Sequence, residues 1–227
     1  MHLILLFLVL LAVIIGPGLW VSAVMKRYHF PRNRYDRTGG ETARALLDSL
    51  GLENVGTEAT ERGDHYDPID KAVRLSPENF NGRSLTALTV AAHEVGHAIQ
   101  DASGFGPLRM RTRLVRWAGP IEKIGAGMLM IAPFSFALTR APMIGILTFL
   151  AGLATLGTGI VVHALTLPTE LDASFGRALP LIRERGLLRE EDIPRARKLL
   201  TAAALTYVSG ALQSLLNIAR WWAILRR

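Results

Sequence analysis

Three long apolar runs give this chain the pattern of a membrane protein. Residues 1–25 contain no Asp, Glu, Lys or Arg, and a helix of that length crosses roughly 30 Å of hydrocarbon. Residues 121–139 and 141–168 are also apolar, and Arg140 lies between them. We therefore predict a transmembrane helix at 1–25 and a tight transmembrane hairpin over residues 119–168.

The C-terminal stretch is apolar but includes more polar side chains. Residues 201–225 contain Thr206, Tyr207 and Ser209 among many alanines. Such a segment can span the bilayer, lie in the membrane interface or pack over the active site, and we favour packing or interfacial burial. We expect residues 201–227 to form an amphipathic or membrane-associated helix.

Helices are predicted within the mixed-polarity segment 26–118. Residues 41–50 carry apolar side chains at helical spacing, and Gly51 is suited to end that helix. A Ser-Pro pair at 76–77 is a favourable helix start. A further helix is predicted over residues 84–100, after that start.

A short β-hairpin is predicted between these helices. The turn-forming sequence at 67–70 lies between residues 64–66 and 71–75, which have an extended pattern. We expect the strand at 71–75 to present a free edge, on which a peptide can add as a further strand.

Composition narrows the classes of partner. Of 227 residues, 50% are hydrophobic and the net charge is +7, with a mean hydropathy of +0.27. The basic residues lie beside the apolar runs, which favours an anionic membrane surface over nucleic acid. The chain has no cysteine, so disulfides, thiolate ligands and a cysteine nucleophile are excluded.

The charge bias also predicts an orientation. Five basic residues follow the first apolar run: Lys26, Arg27, Arg32, Arg34 and Arg37. By the positive-inside rule, the N-terminus lies outside and residues 26–118 are cytoplasmic. Residues 169–200 contain further arginines and are predicted on the same side.

The most informative motif is H-E-x-x-H at residues 93–97, within the predicted helix. Residues four apart share a helix face, so His93 and His97 can bind one metal ion. Glu94 lies beside them and can activate a water bound to that ion. Because these polar groups are costly to bury in an apolar helix without partners, we predict a zinc site with Glu94 as the catalytic base.

A catalytic zinc usually has three protein ligands and one open position. Residues 98–108 contain no histidine, which excludes the metzincin pattern. Glu170 is the best candidate for the third ligand, because it follows the third apolar run and is expected near the membrane face of the motif helix. Asp172, His65 and His163 remain alternatives.

Five sequence blocks are informative together: DHYDP at 64–68, VRLS at 73–76, VAAHEVGHAIQ at 90–100, TLPTELDAS at 166–174 and AALTYV at 203–208. In these blocks the chain resembles the YugP-type neutral zinc metallopeptidases, a family of small bacterial membrane proteins. The resemblance covers nearly the whole chain.

The resemblance implies a mainly α fold of integral membrane helices plus a small α+β zincin-like metallopeptidase subdomain. That subdomain corresponds to residues 26–118 and contains the motif helix. The third ligand then lies in a cytoplasmic helical segment at residues 169–200.

More distantly, the chain resembles the HtpX-type and CAAX-prenyl endopeptidases. In these gluzincins the third zinc ligand is the Glu of an E-x-x-A-D block. The chain matches that block from Glu170 to Ala173 and then has Ser174 in place of Asp. The hydrogen-bond partner of a zinc histidine is therefore open, and Asp172 is one candidate.

Together these features predict a zinc metalloendopeptidase, multi-pass in the bacterial inner membrane, with its active site on the cytoplasmic side. His93, His97 and Glu170 hold Zn²⁺, and Glu94 activates the zinc-bound water to cleave a peptide or membrane-protein substrate. The main alternative is a zinc-binding membrane adaptor or chaperone without essential proteolysis. A hydrolase of a non-peptide bond, such as a lipid amide, is a third hypothesis.

Overall fold

The computed structural model describes residues 2–139 and 141–225. Over these residues the chain is mainly helical with one small sheet, which confirms the predicted class at that level. The α-helices are α1 (His2–Tyr28), α2 (Gly39–Ser49), α3 (Pro77–Phe80), α4 (Leu85–Ala102), α5 (Gly106–Thr139), α6 (Pro142–Leu171), α7 (Leu179–Glu184) and α8 (Ile193–Leu225). A π-helical segment (Asp172–Ala178) joins α6 to α7, and a 3₁₀ turn (Glu190–Asp192) precedes α8.

The chain divides into two compact units. The helical unit comprises Met1–Pro17, Met110–Leu167 and Tyr207–Arg227, and the mixed unit comprises Gly18–Arg109 and Pro168–Thr206. The mixed unit contains the sheet, the H-E-x-x-H motif and Glu170. Of the candidate ligands, His163 alone lies in the helical unit.

A mixed sheet of three strands, β1 (Gly56–Ala59), β2 (His65–Asp67) and β3 (Ala72–Leu75), has the order β1-β3-β2. β3 pairs antiparallel with β2, which confirms the predicted hairpin, and parallel with β1. The prediction of a free edge at 71–75 is wrong, because β1 covers the other side of β3. Val73 and Leu75 are 0% and 1% exposed, as expected for a central strand.

The core of the mixed unit lies between α2, α4 and β3. Thr38 and Glu41 form a capping box at the start of α2, and Gly51, with a φ of 70°, follows its end as predicted. The apolar face of α2 contributes Ala43 and Leu47 to the buried cluster that also contains the apolar side chains of α4 and β3. This packing fixes α4 in the centre of the unit.

α4 is a separate helix from the one that begins at Pro77. Ser76 precedes α3, a single turn, and its side chain makes no capping hydrogen bond. Ser84 caps α4 instead, since its Oγ accepts a hydrogen bond from the Ala87 backbone N–H at 3.1 Å. All residues from 85 to 98 are buried, so the motif lies in a core helix.

In the helical unit, α5 and α6 approach each other closely. A Cβ on Gly152 would lie 3.0 Å from the carbonyl oxygen of Gly125, and small residues permit such backbone contact between apolar helices. The predicted turn of the transmembrane hairpin, at Arg140, lies outside the described residues, as do residues 226–227 of the predicted C-terminal helix.

One helical run among the described residues, Met143–Glu184, is long and apolar enough to cross a membrane by length and composition. It includes most of α6 and continues through the π-helical segment into α7. The spans at 1–25 and 121–139 stay predictions.

Candidate metal centre

The two motif histidines lie on one buried face of α4. The ring centroids of His93 and His97 are 4.8 Å apart, and the two residues are 5% and 3% exposed. One helical turn separates them, so the local backbone alone brings their Nε2 atoms to the same side. Two imidazoles buried in this core require polar partners.

Glu170, in the last turn of α6, supplies the partner that both histidines share. Its Oε2 lies 3.2 Å from Nε2 of His93, and its Oε1 lies 3.5 Å from Nε2 of His97. Glu170 is 2% exposed. The possible ligand atoms of the three residues all lie within 4.8 Å of one another, so this group can hold a metal ion.

The distances in this group fit zinc. Bonds of about 2.0–2.1 Å to a tetrahedral zinc place two ligand atoms roughly 3.3 Å apart, and the observed separations are 3.2 and 3.5 Å. Two imidazoles and a carboxylate form a ligand set that zinc uses in hydrolases, where the fourth position is open. The residues present therefore fit Zn²⁺.

Gln100 fixes the tautomer of His97. Its Nε2 donates to the Thr169 carbonyl oxygen and to Oδ2 of Asp172, both at 2.8 Å, so its Oε1 must be the atom facing His97 Nδ1 at 2.9 Å. An amide oxygen only accepts, and His97 must therefore carry its proton on Nδ1. This leaves the Nε2 lone pair of neutral His97 for a metal.

Ser174 fixes the tautomer of His93. Its Oγ lies 3.2 Å from His93 Nδ1 and 3.4 Å from the Leu200 carbonyl oxygen. The carbonyl can only accept, so the hydroxyl donates to it and accepts from His93 Nδ1–H. Ser174 thus occupies the position of the carboxylate in the E-x-x-A-D block, and Asp172 acts on the other histidine through Gln100.

A π-helical segment places Glu170 and Ser174 against α4. The widened turn begins at Asp172, two residues after Glu170, and such turns are frequent at functional sites. Gly96 on α4 permits the approach, because a Cβ there would lie 2.7 Å from the Ala173 carbonyl oxygen. The glycine inside the motif is therefore part of the helix contact.

Glu94 lies beside His93 on α4 and is 6% exposed. It is not a member of the metal-binding group found among the described residues. Glu94 is therefore a buried carboxylate next in sequence to one of the three possible metal ligands and not one of them.

The other candidate ligands lie outside this group. The Asp172 carboxylate faces Arg177 Nε at 3.3 Å and accepts the Gln100 hydrogen bond. His65 Nδ1 lies 2.8 Å from the Gly63 carbonyl oxygen, next to β2. His163 belongs to the helical unit. Of the candidates considered, the structure brings only Glu170 to both histidines.

The Tyr66 hydroxyl, on β2, bonds to a carboxylate of α4. It donates to Oδ2 of Asp101 at 2.7 Å. Burial, and then the hydrogen bond to this carboxylate, raise the pKa of Tyr66 well above its ordinary value. The hydroxyl therefore stays protonated and ties β2 to the last turns of α4.

Gln100 and Ser174 are neighbours of the metal centre that the sequence motifs do not reveal. Each has a signal in hindsight, since Gln100 follows His97 by three residues and Ser174 follows Glu170 by four. Both spacings place the pair on one helix face. For Ser174, however, the identity of the partner histidine depends on how its helix meets α4.

Comparison with known proteins gives a consistent result. The family described as "Putative neutral zinc metallopeptidase" matches residues 3–226. The chain is 36% identical over 224 residues to "Putative membrane protease YugP" of Bacillus subtilis (strain 168), and the alignment covers 95% of each protein. No solved structure matches the chain. The matched region includes all the residues of the metal centre.

Proposed function

The chain belongs to the neutral zinc metallopeptidase family, and we propose that it is a membrane-anchored zinc endopeptidase. In this proposal His93, His97 and Glu170 bind zinc and Glu94 is the catalytic base. The observation that carries it is the buried convergence of the three ligand side chains, at 3.2 and 3.5 Å between their polar atoms. The description of the family and the name of its relative support peptide bonds as the substrate.

The chemistry follows from the two kinds of group at the site. Zinc held by three protein ligands activates water and polarises carbonyl oxygens. Glu94 takes a proton from the attacking water, whose oxygen bonds to the scissile carbonyl carbon. Glu94 then returns the proton to the leaving nitrogen as the C–N bond breaks. Gln100 and Ser174 hold the histidines in the tautomer that ligation requires.

The decisive experiment is Glu94→Gln in the full-length protein. The amide keeps the size of the side chain but cannot accept the proton, so we expect zinc content to stay near wild type and cleavage of an unstructured peptide to fall by at least about 10²-fold. Exposed Glu53 provides the matched control, and Glu53→Gln should change neither quantity. His93→Ala should lose zinc.

Wild-type cleavage by Glu94→Gln would overturn the assigned mechanism. The adaptor or chaperone alternative predicts a different result. The wild-type protein would then bind zinc without cleaving any peptide, and the Glu94→Gln variant would keep the cellular role of the protein. Unchanged zinc stoichiometry in His93→Ala would move the metal site elsewhere. Peptides that accumulate in cells carrying Glu94→Gln would identify the physiological substrates.

We place the enzyme in the bacterial inner membrane as a multi-pass protein, with its active site facing the cytoplasm and peptides or membrane proteins as substrates. The support is the name of the relative, the apolar run Met143–Glu184 and the basic residues that follow residue 25. Because the chain lacks cysteine, Arg37→Cys gives a single label site. Labelling of intact spheroplasts by an impermeant maleimide would contradict a cytoplasmic location.

A further inference from the structure

A cavity of about 200 Å³ lies in the mixed unit, where the end of α1 meets the start of α8. None of its lining residues belongs to the metal centre. Its polar and aromatic lining consists of Arg27, Tyr28, Phe30, Arg34, Asp192 and Arg195. The cavity thus sets three guanidinium groups against a single carboxylate.

That carboxylate is already satisfied by the protein. The Asp192 side chain is 0% exposed and accepts hydrogen bonds from Arg34 Nε at 2.5 Å, Tyr35 Oη at 2.5 Å and Arg195 Nη1 at 2.7 Å. The Arg34 Nη2 group also reaches Asp192 and Glu191. Arg34 Nη1 and Arg195 Nη2 make no hydrogen bond to any residue that the structure describes, so both keep donors for a ligand.

Arg27 adds a positive charge that the cavity does not balance. It lies in the last turn of α1, and its guanidinium carbon is 6.0 Å from the centroid of the Tyr28 ring. Within the described part of the chain it has no ion-pair partner. Guanidinium groups with free N–H donors favour phosphate, because their planar donors match its oxygens.

We propose that this cavity binds a phosphate group, with the headgroup of an anionic phospholipid as its source. The lipid is favoured over a soluble phosphate ester because Arg27 follows the charge-free residues 1–25 directly after Lys26. Phe30, 64% exposed, adds an apolar surface to the lining of the cavity. Basic residues directly next to a membrane segment attract anionic headgroups. The choice of lipid rests on the proposed membrane location, and not on the chemistry of the metal centre.

The test is lipid binding by the full-length protein in neutral detergent, measured by native mass spectrometry. We expect dioleoyl-phosphatidylglycerol to bind in preference to dioleoyl-phosphatidylcholine. Arg27→Gln should weaken phosphatidylglycerol binding by about fivefold, the effect of one basic residue near an anionic lipid. Lys26→Gln removes the same charge from the same helical turn without touching the cavity, and should weaken binding by less than about twofold.

Equal binding of the two lipids, or equal losses in the two variants, would overturn the lipid site. Inorganic phosphate forms a separate arm: Arg27-dependent phosphate binding without a lipid preference supports the phosphate site and names a soluble ester as its source. Zinc content is measured in every sample. Glu94→Gln should bind phosphatidylglycerol as wild type does, so failure of the peptidase proposal and failure of the cavity proposal are distinguishable.

Discussion

At the scale of single residues, Ser174 gives the candidate metal centre its own character. A carboxylate at this position would make the imidazole of His93 more basic through a charged hydrogen bond. The hydroxyl offers a neutral acceptor instead, 3.2 Å from Nδ1. It still selects the tautomer of His93 that is protonated on Nδ1, because the hydroxyl donates its own hydrogen bond to the Leu200 carbonyl oxygen. His93 is therefore oriented without an added negative charge.

The Ser174 hydroxyl is expected to contribute to zinc affinity. Ser174→Ala should weaken zinc binding by about tenfold, because His93 Nδ1–H loses its acceptor and the tautomer is no longer fixed. Competition with a chromophoric zinc chelator measures the change. Thr89, also buried on α4, has a hydroxyl without a hydrogen-bond partner among the described residues. Thr89→Val is thus the matched control, and an equal loss of affinity in both variants would contradict the role of Ser174.

Residue identity alone predicted the histidines, and Glu170 as the leading third ligand, but not the hydrogen bonds behind them. Helical spacing is a local property, so H-E-x-x-H could be placed on one face from sequence. The pairing of Gln100 with Asp172 joins α4 to the π-helical segment. No local pattern specifies which residues of two distant helices meet.

At the scale of elements, the contact between α4 and the π-helical segment holds the ligands together. α4 supplies both histidines, and the other helix supplies Glu170, Ser174 and the Thr169 carbonyl oxygen. The backbone of Ala173 touches α4 at Gly96, where no side chain intervenes. The candidate metal centre depends on this close approach.

Gly96→Ala tests that contact. Its Cβ would lie 2.7 Å from the Ala173 carbonyl oxygen, so the helices must separate, at a cost of about 1–3 kcal/mol in the free energy of unfolding. We also expect weaker zinc binding, since Ser174 and Glu170 move away from the histidines. Thermal unfolding and zinc content are the two measurements.

Gly106→Ala is the control, because Gly106 starts α5 and a Cβ there meets nothing within 4 Å. It should be neutral or slightly stabilising, as alanine has the higher helix propensity. If Gly96→Ala matched this control in both measurements, the close approach would not matter to the site.

Of the two strand pairings in the sheet, the sequence predicts one. The β2–β3 hairpin was predictable because a turn joins its strands. The parallel pairing of β1 with β3, which begins at Gly56↔Ala72, was not predictable, because β2 lies between these two strands in the sequence. Such a pair leaves no turn signal, so β3 looked like an edge.

At the scale of the molecule, Asp192 joins segments that lie far apart in the sequence. Burial acts to raise its pKa, but hydrogen bonds from Arg34, Tyr35 and Arg195 outweigh burial and hold the pKa below its ordinary value. Burial, and then the bond to Asp192, raise the pKa of Tyr35 to about 12. The carboxylate is therefore ionised and the phenol protonated at neutral pH.

This network predicts a pH-dependent stability. A carboxyl group whose pKa is lower in the folded than in the unfolded state stabilises the fold at pH values above its unfolded pKa of about 3.9. That stabilisation is lost as the pH falls through the pKa of the folded state. Asp192→Asn should therefore destabilise the protein by about 2 kcal/mol at pH 7, and by progressively less below about pH 4. Thermal unfolding from pH 3 to 8 measures both.

Exposed Glu191 shares Arg34 with Asp192 and supplies the comparison. Glu191→Gln should cost less than about 1 kcal/mol, because an exposed ion pair is screened by water. A difference between wild type and Asp192→Asn that stayed constant down to pH 3 would show that the carboxylate does not titrate as proposed.

The apolar runs, the motif helix and the ligand types could be predicted from the sequence, because hydrophobic periodicity and the absence of cysteine are properties of the chain. The contact of Glu170, rather than of Asp172, His65 or His163, with both histidines follows from how the helices pack. The same packing decides which oxygens fix their tautomers. These choices depend on a close contact between two helices that are distant in sequence, and local spacing does not encode such a contact.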